Sequence, residues 1–269
     1  MIPNVLSIAG SDPSGGAGVQ ADLKTFSALR CYGMAALTAL TAQNTIGVTG
    51  VHVPPASFVA AQIDAIFDDV RVDAVKIGML ASGEIVEAVA SRLRAHGAGN
   101  IVLDPVLVAT SGDSLGAPDV VDAMKRHLIP LATIITPNVP EAMRLGDEAD
   151  EPRIASDLEA LARRIYALGS RAVLVKGGHL TGELAPDVLF DGAVFETFST
   201  PRIDTRNTHG TGCTLSSAMA AQLAHGLSLR DAVAAAKAYL TAALAASSAL
   251  SVGSGKGHGP VHHFHSLWT

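Results

Sequence analysis

Residues 100–106 read NIVLDPV, three apolar residues running straight into an aspartate and a proline. Successive side chains of a strand point to opposite faces, so a strand with one wet face alternates apolar and polar residues. A near-continuous apolar run belongs instead to a strand covered on both faces, as in parallel sheets lined by helices. The same form recurs in VLSIAG (5–10), AALTALTAQN (35–44), DAVKIGML (73–80), TIITPN (133–138) and AVLVKGG (172–178). Between these runs, helical patterns occupy 19–33, 57–70, 84–97 and 157–169, several of them stopped by glycine. Strand–helix alternation predicts right-handed crossovers and a mostly parallel α/β sheet. The stretch DVLFDGAVFETFSTPRI (187–203) departs from that rhythm, because Asp-Gly between apolar runs predicts an antiparallel hairpin. Two alanine-rich helices are expected at about 212–225 and 228–250. With no linker, repeat or low-complexity segment, residues 1–269 read as one domain.

A net charge of −6 without any basic block argues against nucleic acid or an anionic membrane as partner. No apolar run approaches the length of a membrane span. The first residues, MIPNVLSIAG, lack the charged flank of a signal peptide and read as a strand. Cys31 and Cys213 make no disulfide framework and are expected to stay reduced in a cytoplasmic protein.

Ligands of open parallel sheets bind beyond the carboxyl ends of the strands. Here those ends carry GSDPSGGAG, TAQN, KIGM, LDPV, TPNVPE and VKGGH, which would gather along one edge. A further turn, NTHGTGCTLSSA (207–218), opens a helix with Thr211, Gly212 and Cys213. Glycines let a ligand approach the backbone, and the unpaired first amides of a helix make an anion site. That position is expected to lower the Cys213 pKa toward a partial thiolate. The plainer reading is a small cysteine packed at a tight helix entry. GSDPSGGAG is neither a Walker loop nor a dinucleotide fingerprint, and offers Asp12 or nearby Asp22 as an acceptor. Asp12 before proline also fits an Asx turn.

Together these stretches, with AQNT, KIGML, TPNVPE and VKGGH, resemble the hydroxymethylpyrimidine/phosphomethylpyrimidine kinases of thiamine biosynthesis, members of the ribokinase-like superfamily. The resemblance runs from Val5 to GKGHGPVHHFH near the C-terminus. It implies a three-layer α/β/α fold, a homodimer, and two successive phosphorylations with ATP and Mg²⁺. The acceptors would be 4-amino-5-hydroxymethyl-2-methylpyrimidine and then its monophosphate. Gln43 matches the residue that reads the pyrimidine, an apt role for an amide that both donates and accepts. Met79 matches an apolar wall, though a core methionine is the alternative. Gly10 would offer backbone contact, with Asp22 close by. Asn138 and Glu141 match the Mg²⁺-handling motif and equally a helix capping box, and Asp104 joins them through water. Lys176 faces phosphates, and Thr208, Gly210 and Gly212 line the triphosphate, with Thr211 and Cys213 beside them. In many relatives an aspartate base stands where this chain has Cys213. Lys237 reads as near the nucleotide or simply solvated. The tail HHFH (262–265) lacks regular metal-ligand spacing and reads as packing. Position 110 is threonine where cysteine-type pyridoxal kinases carry a second cysteine, which with Gln43 favours the pyrimidine. A pyridoxal or pyridoxine kinase is the runner-up, and a non-catalytic ligand sensor is the rival from another class.

Overall fold

Odd and even residues of the central strands are apolar for separate reasons, because each face of the sheet meets its own helices. A computed structural model describes residues 1–107, 119–148 and 152–268. The core strands are β1 (Asn4–Ser11), β2 (Tyr32–Gln43), β4 (Ala74–Ile77), β5 (Ile101–Leu103), β6 (Ile134–Ile135) and β7 (Val173–Lys176). Adjacent core strands pair in parallel. The hairpin of β8 (Leu184–Phe190) and β9 (Phe195–Pro201) adds antiparallel strands at one end. At the other end stands β3 (Val48–His52), giving the order β3-β2-β1-β4-β5-β6-β7-β8-β9.

Leu6, Ile8, Val75, Ile77, Leu103 and Val175 face one core. Its helices are α2 (Ala56–Phe67), α3 (Gly83–Ala95), α4 (Val120–Ala123), α5 (Val139–Gly146) and α6 (Ala155–Tyr166). The intervening Val5, Ala74, Val102, Ile134 and Leu174 face the second core, formed with α1 (Gly18–Ala28), α7 (Thr211–Ala224) and α8 (Leu229–Ala245). Helix α7 is buried nearly all round, and its run of Ala and Ser lets it lie close to the sheet between α1 and α8. Its N-terminus is thereby held at the carboxyl edge of the strands.

The expected α/β order, the mostly parallel sheet and the hairpin after residue 187 are present. Three differences have physical causes. Strand β3 was not expected; it folds back through a turn in which Asn44 Oδ1 accepts the amides of Ile46 (2.8 Å) and Gly47 (3.3 Å). The runs 100–106 and 133–138 are strand only over Ile101–Leu103 and Ile134–Ile135, since their polar ends leave the ladder to line a cavity. The stretch from Val120 was not read as helical; it continues past α4 as a π-helical turn, Met124–Leu128, under α3. Among the described residues no helix is long and apolar enough to cross a membrane.

Candidate active site

The two-residue period of the strands builds the site. Two positions beyond Val5, Ala74, Val102, Ile134 and Leu174, on the same face, stand Ser7, Lys76, Asp104, Thr136 and Lys176. The second core therefore turns polar as it reaches the carboxyl edge, opposite the start of α7. A cavity of about 760 Å³ opens there. It runs along the sheet edge from Gln43 on β2, past Lys176 on β7, to Thr200 on β9 and Leu244 on α8. Strand order reverses between β1 and β4, and Gly10 and Met79 flank that crevice, where ligands of open sheets bind.

Gly210 caps α7 at φ +77°, a left-handed conformation costly to any residue with a Cβ, and a Cβ there would collide with the Gly16 carbonyl. A Cβ on Gly212 would sit 3.2 Å from Lys176 Nζ and 3.3 Å from Asp104 Oδ2. The bare backbone thus brings the amides of Gly212 and Cys213, which have no acceptor among the described residues, beside a cation and a carboxylate, while the Thr211 amide donates to the Thr208 carbonyl at 3.3 Å. Lys176 Nζ donates to Asp104 Oδ1 at 2.8 Å, and that carboxylate also accepts from Thr136 (3.2 Å) and Ser216 (3.4 Å). Burial disfavours the Lys176 charge, but Asp104 and Glu141 outweigh it and hold its pKa above the ordinary lysine value. Asn138 and Glu141 form the capping box of α5: Asn138 Oδ1 accepts the Glu141 amide at 2.9 Å, and Glu141 Oε2 accepts the Asn138 amide at 2.8 Å. Burial pushes the Glu141 carboxyl up to about 7, with Lys176 opposing and Asp104 adding to the rise.

Cys213 is half-buried and free, at the third position of α7. Its expected partial thiolate is corrected: burial pushes the thiol up to about 11, against the opposing pull of Lys76 and the Gly18 amide. Desolvation of the thiolate outweighs the helix start.

A family model described as phosphomethylpyrimidine kinase matches residues 12–262. The chain belongs to the phosphomethylpyrimidine kinase family. A hydroxymethylpyrimidine/phosphomethylpyrimidine kinase of Salmonella typhimurium is 53% identical over 265 residues, 98% of this chain and 98% of that protein. A crystal structure of an ADP complex of Bacillus subtilis pyridoxal kinase superposes with TM-score 0.88 at 39% identity, covering 98% of both chains. A phosphomethylpyrimidine kinase from Clostridium difficile gives 0.78 at 42% identity, covering 89% of this chain and 98% of that one. The fold is the ribokinase-like α/β arrangement of these kinases.

Of the residues that the resemblance singled out, the cavity is lined by Gly10, Gln43, Met79, Asp104, Asn138, Glu141, Lys176, Thr208 and Gly210–Cys213. Gln43 ends β2, where its Oε1 accepts from Thr41 (3.1 Å) and its amide nitrogen has no partner among the described residues. Met79 packs its sulfur against Gly10, where a Cβ would approach to 3.1 Å. Thr208 Oγ1 lies 3.3 Å from His258 Nδ1. Asp22 is placed differently from its expected position at the pocket. It lies one layer beneath the cavity with no exposed surface, held by Lys76 (2.9 Å to each oxygen), Ser7 (2.6 Å) and Ser217 (2.7 Å). Lys237 is not solvated: it is buried, donating to Asp187 Oδ2 at 2.7 Å and the Ala185 carbonyl at 2.8 Å, and it lines the cavity. In the HHFH tail, His262 and His263 are buried, and His263 Nε2 lies 3.1 Å from Thr214 Oγ1 on α7. Thr110 lies outside the described residues.

Sequence reasoning passed over Lys76, Asp187 and His209. Lys76 is fully buried, and Asp22 holds its pKa above the ordinary value even though burial opposes the charge. The signal was available. A lysine inside a strand covered on both faces has no route to water and requires a buried carboxylate.

Proposed function

We propose that the chain acts as one kinase domain over residues 1–269 and phosphorylates 4-amino-5-hydroxymethyl-2-methylpyrimidine, then its monophosphate, at the expense of ATP. The observation that carries this is the convergence at Gly212, where Lys176, Asp104 and the first amides of α7 meet within one wall of the cavity. Phosphoryl transfer asks mainly for positioning and for positive potential around the migrating group.

The acceptor ring lies toward Gln43, Gly10 and Met79, with the Gln43 amide pairing a ring nitrogen and the adjacent amino group. The adenine enters the apolar end of the cavity, between Ile203 and the α8 residues Leu240 and Leu244. Its phosphates run past Thr208 and Asn138 to Gly210, Gly212 and Lys176. The ADP complex of the Bacillus subtilis relative supports a nucleotide in this fold. Magnesium fits the donors present: Asp104 and Glu141 supply hard oxygens, and the lifted Glu141 pKa marks a buried carboxylate in want of positive charge. These two carboxylates would hold the ion largely through water, and it would neutralise charge on the phosphates. In the first step the hydroxymethyl oxygen bonds to the γ-phosphorus, the bond from that phosphorus to the bridging oxygen of ADP breaks, and the hydroxyl proton passes to an oxygen of the transferred phosphoryl group, which releases it to solvent. With its pKa near 11, Cys213 stays a thiol at neutral pH and orients the hydroxyl by a hydrogen bond. The monophosphate acceptor is mostly dianionic and needs no base, so its transfer leans on Lys176.

A substrate panel tests the reading. ADP should be released with the pyrimidine and with its monophosphate in Mg·ATP; release with neither refutes it. Pyridoxal phosphorylation is a second reading, favoured by 39% identity to a pyridoxal kinase over 98% of the chain, and the same panel measures it. A homodimer in the cytoplasm completes the proposal on family resemblance, and light scattering of the purified chain tests the stoichiometry.

A further inference from the structure

The cavity is bounded by two glycine loops from opposite ends of the sequence, and one side-chain pair joins them. His209 directly precedes the turn Gly210–Cys213, and Asp12 opens the loop before α1. Asp12 Oδ2 lies 2.8 Å from His209 Nε2, and both side chains are almost wholly buried, at 3% and 8% exposure. Burial opposes the Asp12 charge, but bonds from His209 and Ser14 hold its pKa below the ordinary value, so the carboxylate is ionised. An ionised carboxylate only accepts, which puts the hydrogen on Nε2.

Both carboxylate oxygens of Asp12 hold the loop. Oδ1 takes the Ser14 amide (2.8 Å) and hydroxyl (2.7 Å), forming the Asx turn, and Oδ2 takes the Ala17 amide (2.8 Å) along with His209. His209 is anchored from behind by its own amide, which donates to the Gly259 carbonyl at 3.0 Å. The backbones interlock as well: a Cβ on Gly16 would strike the His209 ring, and one on Gly210 would strike the Gly16 carbonyl.

We propose that His209 is a positioning residue: through its bond to Asp12 it fixes the anion turn Gly210–Cys213 against the loop Gly10–Gly18, and so sets the distance between acceptor and phosphoryl group. Neither residue needs to touch the reacting atoms. The inference rests on the kinase reading above. Transfer requires reacting atoms in near-contact, and a shift of about 1 Å costs on the order of 100-fold in rate. Binding of either substrate alone is less sensitive, because each still meets one intact loop.

The test compares wild type, His209→Leu, His209→Gln, Asp12→Asn and Asp12→Asn/His209→Leu as full chains, with rates normalised to folded protein. Glutamine can place an N–H where the imidazole Nε2 stands; leucine cannot. His209→Leu should lose kcat by about 100-fold with KM for ATP and for the pyrimidine within about threefold of wild type. His209→Gln should recover at least about tenfold of that loss, and the double variant should be no slower than the worse single variant. Wild-type turnover of the pyrimidine is the control for the kinase reading itself, whose failure would be seen there alone. With that control intact, three results overturn the inference: His209→Leu with normal kcat, His209→Gln no better than leucine, or additive losses in the double variant. If His209→Leu does not fold, the Asp12→Asn and His209→Gln rates decide, since wild-type kcat in Asp12→Asn also overturns it.

Discussion

Glu141 gives a prediction whose size can be worked from its surroundings. The residue is 6% exposed at the first turn of α5, and burial lifts its carboxyl pKa from the ordinary 4.5 to about 7. Between those values the folded chain binds a proton that the unfolded chain has released. Stability therefore falls as pH rises through that window, the opposite of the usual carboxylate. An interval of about 2.5 pH units at 1.36 kcal/mol each comes to about 3 kcal/mol. Glu141→Gln removes the titration while keeping an acceptor for the Asn138 amide. The assay is urea unfolding of both proteins from pH 4.5 to 8 in the presence of a chelator, read as the difference between them at each pH. Wild type should lose about 3 kcal/mol relative to Glu141→Gln across the range, almost all of it below pH 8. Added Mg²⁺, which favours the ionised carboxylate, should recover part of the loss. A flat difference, or one that rises with pH, refutes the argument that burial dominates this site.

Other perturbations separate the remaining parts. Lys76→Met leaves Asp22 buried without its cation and should cost about 3–5 kcal/mol in unfolding free energy, whereas Lys76→Met/Asp22→Leu should recover most of that loss. Neither native thiol should react readily with iodoacetamide at pH 7.5, since burial lifts both Cys31 and Cys213 to about 11, and both should react once the chain is unfolded. Gly210→Ala forces a Cβ against the Gly16 carbonyl at positive φ, so turnover should drop about 100-fold while the far-ultraviolet spectrum is unchanged. Single-turnover rates should show Cys213→Ala slowing the alcohol step about tenfold, with less effect on the monophosphate step, and Lys176→Ala doing the reverse. Equal losses in both steps for each variant would defeat that division of labour.

The strand ends were readable because apolar runs such as IVL and AVLV stop abruptly at Asp104 and Lys176, and a parallel sheet aligns such stops along one edge. What stayed hidden depended on partners remote in sequence. Lys76 looked like part of a strand until Asp22, 54 residues away, was seen to neutralise it. His209 became meaningful only beside Asp12, 197 residues distant. The rise in the Cys213 pKa was hidden because sequence reveals the helix start but neither the packing around the sulfur nor the nearby carboxylates of Asp22 and Asp104. Strand β3 was missed because an exposed edge strand carries little hydrophobic signal, and its turn was marked only by Asn44 and Gly47.

The central claim is that the amides opening α7, with Lys176, receive the phosphoryl group. A crystal structure with a non-hydrolysable ATP analogue, Mg²⁺ and the hydroxymethylpyrimidine tests it most directly. The γ-phosphate should accept from the amides of Gly212 and Cys213 and from Lys176 Nζ, with the acceptor hydroxyl on its far side toward Gln43. A γ-phosphate out of hydrogen-bonding reach of both amides would contradict the account.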